Sequence, residues 1–184
     1  MANQPSYEDV GAATRVDPKA KKKISLSNYT THGGKVFEDK KVAKASLEED
    51  AAAINELQDA LFACKGGALL LVLQGIDTAG KDGVTKEVFK YTSPLGVRVH
   101  AFGRPSEIEL AHDYLWRIHA ATPRKGHVVV FNRSHYEDVL VVKVRNLAAP
   151  KLVAARYEQI NQFEKTLVEN GTRVLKVMLH VSKE

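Results

Sequence analysis

A run of apolar residues that leads directly into a glycine-rich loop constrains the fold of this chain more than any other feature. Residues 68–73 are uninterruptedly apolar, which is typical of a strand buried on both faces of a parallel sheet. Gly75, Gly80 and Lys81 follow at the G-x-x-x-x-G-K spacing of a phosphate-binding loop, and residues 81–91 have the pattern of a helix. Strand, loop and helix in this order predict backbone N–H groups that converge on an anion at the helix N-terminus.

Strand and helix patterns alternate through the chain from residue 46 onward. Further strands are predicted at 97–102, 127–131 and 173–179. Further helices are predicted at 46–64, about 106–118, 135–145 and 151–168, the last with Leu152, Tyr157, Ile160, Phe163 and Leu167 facing inward. Ser46–Glu49 and Ser106–Glu109 have the spacing of capping boxes at two helix starts. This alternation predicts an α/β fold, a P-loop NTPase-like three-layer sandwich around a parallel sheet.

Composition narrows the class of protein and its partners. The chain has 184 residues, a single cysteine and a net charge of +5. One cysteine excludes an intramolecular disulfide, and no apolar run approaches the roughly 20 residues of a membrane helix. The polar N-terminus lacks the features of a secretory signal, so we expect a cytoplasmic protein with no membrane partner. The positive charge predicts an anionic partner: a polyphosphate, a nucleotide or a nucleic acid.

Residues 1–45 differ in composition from the rest of the chain. They contain few large apolar residues and a run of lysines at positions 19 and 21–23. We predict an extended basic arm over 1–45, followed by a core domain over 46–184. The lysine run is either a solvated tail or a polyanion-binding segment.

Two carboxylates accompany the predicted phosphate loop. Asp77 lies within it, and Asp82 stands where Ser or Thr usually follows the lysine. A bare carboxylate facing phosphate oxygens is repelled unless a divalent cation lies between them, and Mg²⁺ suits both partners. We therefore assign Asp77 to metal coordination, with a turn or helix-capping carboxylate as the alternative. For Asp82, in the first helical turn, capping is favoured over a catalytic role.

A polar cluster follows the third predicted strand. Asn132 stands where such sites usually place an aspartate, and Glu137 and Asp138 are near enough in sequence to compensate. Arg133 offers a planar fork for two phosphate oxygens. His135 is interpreted as a neutral structural histidine rather than a proton donor.

The second predicted strand leads into a turn at residues 102–105 that can face the acceptor. Beyond it, Asp113, Trp116 and Arg117 are expected close together on one helix. Trp116 is predicted to lie in the core. Arg117 is either a phosphate ligand or a salt-bridge partner of Asp113.

Four long blocks of sequence, at 73–83, 112–117, 131–140 and 179–184, closely resemble the second polyphosphate kinase family. The likeness extends in order from about residue 46 to the last residue. It implies a cytoplasmic phosphate-loop kinase that uses Mg²⁺ to move a phosphoryl group between inorganic polyphosphate and AMP or ADP. Lys143 and Arg145 stand where the family more often has Arg and His, which we expect to weaken the geometry without abolishing function.

The chemistry of the residues and the family resemblance together define the predicted site. The catalytic residues are Asp77, Lys81 and Arg133, and the metal ligands are Asp77 and Asp138. Phosphate binding is assigned to Gly75, Thr78, Ala79, Gly80, Lys81, Asp82, Gly83, Arg117 and Lys143. Nucleotide binding is assigned to Phe102, Arg104, Asn132, Arg133 and Glu137.

The resemblance also implies a lid, because family members continue beyond the last block into helices that cover the phosphates. The sequence ends at Glu184, so we expect this lid to be absent or truncated and transfer to be low or absent. We also expect a homo-oligomer. The alternatives are an ATP-dependent nucleoside or small-molecule kinase and a non-catalytic phosphate-binding module. Nucleic-acid binding rests only on the lysine run and is not predicted.

Overall fold

Four parallel strands form one sheet at the centre of the computed structural model, which describes residues 5–17, 24–32, 37 and 39–182. The strands are β1 (Ala68–Gly75), β2 (Val97–Ala101), β3 (Val128–Asn132) and β4 (Thr172–Leu179). Their order across the sheet is β2-β3-β1-β4, and every pairing is parallel. The predicted α/β fold with a parallel sheet is confirmed. The lysine run at 19–23 and the last two residues lie outside the described residues.

Seven helices are described, together with one 3-10 turn at Leu26–Asn28. They are α1 (Tyr7–Thr14), α2 (Lys40–Cys64), α3 (Lys81–Val88), α4 (Glu107–Leu110), α5 (Trp116–Ala120), α6 (Glu137–Val144) and α7 (Pro150–Glu169). None of them is both long and apolar enough to cross a bilayer, within the residues described.

The core lies on both faces of the sheet, which gives the three layers. Leu70 and Phe131 pack on one face against Ile118 of α5 and Phe163 of α7. Leu71, Leu73 and Val130 point to the other face and contact Val84 of α3. Alternation along β1 thus divides its apolar run between two helix layers, as expected for a strand covered on both sides.

The first long helix begins earlier than its sequence pattern predicts. Asp39 caps α2 by accepting the N–H of Lys41 at 2.7 Å, and Ser46 is buried within the helix instead of capping it. Residues 40–45 are mostly lysine and alanine, which favour helix, so an available cap at Asp39 extends it backward. α2 therefore crosses the boundary predicted between residues 45 and 46.

The predicted arm also contains a helix. Ser6 and Asp9 form a capping box at the start of α1, and the Tyr7 hydroxyl donates to Asp50 of α2 at 2.7 Å. The expectation of an extended segment was wrong for these residues.

The helix predicted at about 106–118 is two short helices. The Ser106–Glu109 capping box is confirmed, but α4 ends at Leu110 and α5 begins only at Trp116. Asp113 accepts the N–H of Leu115 at 2.9 Å, which makes a turn between them. Trp116 is 43% exposed and stacks on His112 with ring centroids 4.2 Å apart, so its predicted core position was wrong.

The last helix has its buried face slightly rotated from the predicted one. Ile160, Phe163 and Leu167 are buried as predicted, whereas Leu152 and Tyr157 are about half exposed. Val153 takes the inward position in the first turn of α7. Val153, Ile160 and Leu167 are spaced seven residues apart and therefore lie on one face of the helix.

Candidate active site

The segment between β1 and α3 is curled, as its glycine spacing predicts. Thr78 and Gly80 have left-handed backbones, with φ values of 69° and 89°. A Cβ on Gly75 would lie 3.0 Å from the Ala79 Cβ and 3.1 Å from Leu179, so the loop folds back too closely for a side chain there. The curl brings backbone N–H groups of the loop to the N-terminus of α3, the arrangement that binds phosphates.

Lys81 lies across the inside of this loop. Its Nζ donates to the backbone oxygens of Gly75 and Ile76, each at 3.0 Å, although the residue is only 8% exposed. The ammonium group therefore stays on the loop rather than entering the core. Both bonds are to neutral carbonyl groups, which a charged phosphate oxygen replaces favourably.

A cleft of ≈ 440 Å³ opens at the ends of three strands. Its lining comprises residues 77–82 after β1, 101–103 at the end of β2, and Asn132 with Arg133 at the end of β3. Ligands of open parallel sheets bind at this edge. The structure thus brings together the predicted loop, Asn132 and Arg133.

Two carboxylates of the cleft each have one oxygen held by a neighbour. The Asp77 Oδ1 accepts from Nη2 of Arg133 at 2.9 Å, with the Asp77 side chain 87% exposed. The Asp82 Oδ1 accepts from Nδ2 of Asn132. Mg²⁺ in phosphate enzymes is held by one or two carboxylates together with substrate phosphates, so Asp77 and Asp82 supply a suitable donor set. No cluster of three or more metal-ligating side chains occurs within the described ranges.

Two residues at the rim of the cleft have left-handed backbones. Arg133 has a φ of 62° and Thr78, which is β-branched, has a φ of 69°. Such conformations cost free energy in residues other than glycine and are found where a site requires them. Here they aim the Arg133 side chain across the cleft at Asp77.

The predicted second metal ligand lies elsewhere. The Asp138 carboxylate is 3.8 Å from Nη2 of Arg117 and 3.9 Å from Nη1 of Arg156, and Asp138 does not line the cleft. Burial raises the pKa of Asp138, and the two arginines oppose that rise. The structure therefore places this carboxylate beside two cations and does not bring it to the cleft with Asp77, and its metal role stays a prediction.

Arg117 does not pair with Asp113, which was one of its two predicted roles, and its role as a phosphate ligand stays a prediction. It is buried, donates from Nη1 to the Gly103 oxygen at 3.0 Å, and lies 5.4 Å from the centre of the Phe102 ring. Its acidic neighbours are Glu109, at 4.0 Å, and Asp138, not Asp113. Arg117 therefore supports the cleft wall from behind.

Several residues assigned to nucleotide or phosphate binding either have a buried side chain or lie outside the cleft lining. Phe102 is buried with its ring 4.8 Å from that of Phe131, so it offers backbone to the cleft and no stacking surface. Arg104, Glu137 and Lys143 are not part of the lining.

An acid–base cluster beneath the loop after β3 was not predicted from the sequence. Glu164 of α7 accepts hydrogen bonds from His135 Nε2 at 3.2 Å, Tyr136 OH at 2.8 Å and Lys176 Nζ at 2.6 Å. Burial opposes ionisation of Glu164, but these three donors outweigh it and lower its pKa to about 2. The only sequence signal was a glutamate beside Phe163 on the buried face of α7. The prediction that His135 is structural agrees with its complete burial.

Comparison with known proteins places this α/β phosphate-loop chain in a defined group. The family model described as Polyphosphate kinase 2 (PPK2) matches residues 37–184. A crystal structure of polyphosphate kinase 2 from Arthrobacter aurescens TC1 superposes with a TM-score of 0.85 at 37% identity, covering 95% of this chain and 62% of that one. The chain belongs to the polyphosphate kinase 2 family, as its sequence blocks predicted.

The names of two curated relatives agree with this family. An AMP/ADP-polyphosphate phosphotransferase of Meiothermus ruber is 45% identical over 173 residues, 92% of this chain and 63% of the relative. An ADP-polyphosphate phosphotransferase of Rhodopseudomonas palustris is 37% identical over 174 residues, 88% of this chain and 60% of the relative. The chain thus spans less than two thirds of the length of either relative.

Proposed function

We propose that this chain contains the phosphate-binding core of an enzyme that transfers a phosphoryl group between inorganic polyphosphate and AMP or ADP. The observation that carries the proposal is the curled loop with Lys81 laid across it, open to the same cleft as Asp77 and Arg133. Relatives named as polyphosphate phosphotransferases support this choice of substrates.

The loop and Lys81 bind the phosphate chain. N–H groups at the start of α3 donate to phosphate oxygens, and the Lys81 ammonium group exchanges its bonds to the Gly75 and Ile76 oxygens for bonds to phosphate. Asp77 and Asp82 would hold Mg²⁺, which would shield the carboxylates from the phosphates and supply positive charge against the transferring group.

Arg133 neutralises charge that develops on the transferring phosphoryl group. Its guanidinium group donates to Asp77 and is 45% exposed, so it could turn from that carboxylate toward a phosphate bound in the cleft. Asn132, at the end of β3, donates a hydrogen bond to Asp82 and so fixes one wall of the site. The acceptor nucleotide lies along residues 101–103, whose wall Arg117 supports.

The setting we propose for this activity is a cytoplasmic homo-oligomer. The single cysteine and the nucleotide acceptor support that location. Val144, at the end of α6, and Leu147, three residues later, are 82% and 66% exposed and supply apolar surface for self-association.

A donor comparison tests the proposed function. The protein is incubated with Mg²⁺, ADP or AMP, and either inorganic polyphosphate or ATP as donor, and products are separated by ion-exchange chromatography. We expect polyphosphate to phosphorylate the nucleotide at a low but measurable rate. Transfer from ATP to a nucleoside with none from polyphosphate would contradict the proposal, and so would binding of polyphosphate without any transfer.

A further inference from the structure

A second cavity, of ≈ 390 Å³, lies beside the edge strand β2 and outside the phosphate-loop cleft. Arg98 and His100 of β2 line one side, and Trp116 of α5 with the following turn at residues 120–124 lines the other. Since α5 has only five residues, it leaves much of β2 uncovered. The volume lies within the range of roughly 300–1,000 Å³ that is typical of ligand sites.

The lining is strongly cationic. It contains the guanidinium groups of Arg98, Arg117 and Arg124 and one carboxylate, that of Glu109. That carboxylate already accepts the Ser106 N–H at 2.7 Å and lies 4.0 Å from Arg117. The charges of Arg98 and Arg124 are therefore left without compensation from the cavity wall.

Both of these arginines have donors available. Within the described ranges, the side chain of Arg98 makes no hydrogen bond or ion pair, although its backbone pairs with β3. Arg124 donates from Nε to Nε2 of His127 at 3.0 Å, and Nδ1 of the same imidazole faces the Lys125 oxygen at 3.1 Å. This contact fixes the guanidinium plane and leaves its terminal nitrogens without partners in the described part of the chain. Planar guanidinium groups bind phosphate oxygens in pairs.

We propose that this cavity binds a short stretch of inorganic polyphosphate through Arg98 and Arg124, as an anion site separate from the phosphate loop. The identity of the ligand rests on the proposed function, because the charges alone suit any oligophosphate. Arg117 lines this cavity and also donates to Gly103, which lines the cleft, so the two cavities share a wall.

Trp116 allows a direct test, because it is the only tryptophan in the chain and lines the cavity. Its fluorescence is followed while inorganic triphosphate is added to Lys81→Ala protein, in which the cleft is disabled. The titration is repeated with protein that carries Arg98→Ala and Arg124→Ala in addition to Lys81→Ala. The matched control is Arg173→Ala, an exposed arginine on β4 at the opposite edge of the sheet.

We expect a saturable change in Lys81→Ala protein, a dissociation constant raised about 10-fold or more by the double substitution, and no effect of Arg173→Ala. If Arg173→Ala raised the dissociation constant as much as the double substitution does, the effect would come from general positive charge, and the proposal would be overturned. Tighter binding of ADP, or of an oligonucleotide of equal charge, would also overturn it. If the unsubstituted protein transfers phosphate but the fluorescence change is absent, only this second site is refuted. If the fluorescence change occurs but no transfer is detected, the proposed function is refuted instead.

Discussion

Arg133 donates a hydrogen bond to the Asp77 carboxylate at 2.9 Å, joining the loop after β3 to the phosphate loop across the cleft. The pair is exposed, so its contribution to folding is small, about 0–1 kcal/mol. Its importance lies in position, because the carboxylate suited to Mg²⁺ and the cation suited to the transferring phosphate hold each other in place.

Asp77→Asn is expected to separate activity from stability. The amide keeps the shape of the side chain but is a poor ligand for Mg²⁺, so transfer should fall about 100-fold and require more Mg²⁺. Initial rates across a Mg²⁺ series measure this. Asp59→Asn, an exposed aspartate on α2, is the control. An unchanged Mg²⁺ dependence would remove Asp77 from the metal site.

Arg133→Ala and Arg133→Gly should be equally inactive but differ in stability. Both lose the guanidinium group, whereas only glycine relieves the left-handed backbone at φ 62°. We expect the glycine variant to have a free energy of unfolding about 1 kcal/mol higher than the alanine variant. Urea denaturation measures the difference. A less stable glycine variant would show that the conformation at residue 133 is not strained.

Glu164→Gln is expected to remove a pH dependence from the free energy of unfolding. Hydrogen bonds from His135, Lys176 and Tyr136 outweigh burial and lower the pKa of Glu164 from 4.5 to about 2. A depressed carboxyl pKa stabilises the fold fully above pH 4.5, and this stabilisation is lost as pH falls toward 2.

The corresponding stabilisation is about 3 kcal/mol at most. Urea denaturation at pH 7 and pH 3 should therefore show a smaller difference in Glu164→Gln than in the parent. Glu158→Gln, an exposed glutamate on the same helix, is the control. The same pH difference in parent and Glu164→Gln would exclude this cluster as its source.

Gly75→Ala and Gly83→Ala should have opposite effects on stability. A Cβ at residue 75 meets Ala79 and Leu179 at 3.0 and 3.1 Å, whereas one at residue 83 meets no heavy atom within 4 Å. Because Gly83 lies in α3, alanine there should stabilise the protein by about 0.5–1 kcal/mol. Gly75→Ala should lower the melting temperature. Calorimetry compares the two, and a rise for Gly75→Ala would show that the loop is less tightly folded.

The sheet and phosphate loop were predictable because their signals are local. The apolar run of residues 68–73 and the glycine spacing after it specify strand, turn and helix without reference to the rest of the chain. The capping box of Ser106 and Glu109 was predictable for the same reason. Its helix ended early because Asp113 makes a competing turn, which the spacing of apolar residues does not reveal.

The side-chain partners were not predictable, since they connect distant parts of the chain. Asn132 holds Asp82, fifty positions earlier, and Glu164 gathers donors from β4 and the loop after β3. Asp138 was predicted as a metal ligand because it follows the strand tip closely in sequence. The first turn of α6 directs it to Arg117 and Arg156.

The most direct test of the phosphate-loop site is the rate of ATP formation from ADP and polyphosphate in Lys81→Ala protein. Removing the ammonium group from the loop should lower that rate about 100-fold or more. Lys165→Ala, an exposed lysine on α7, should leave it unchanged. Equal rates in Lys81→Ala and Lys165→Ala protein would contradict the account of the site.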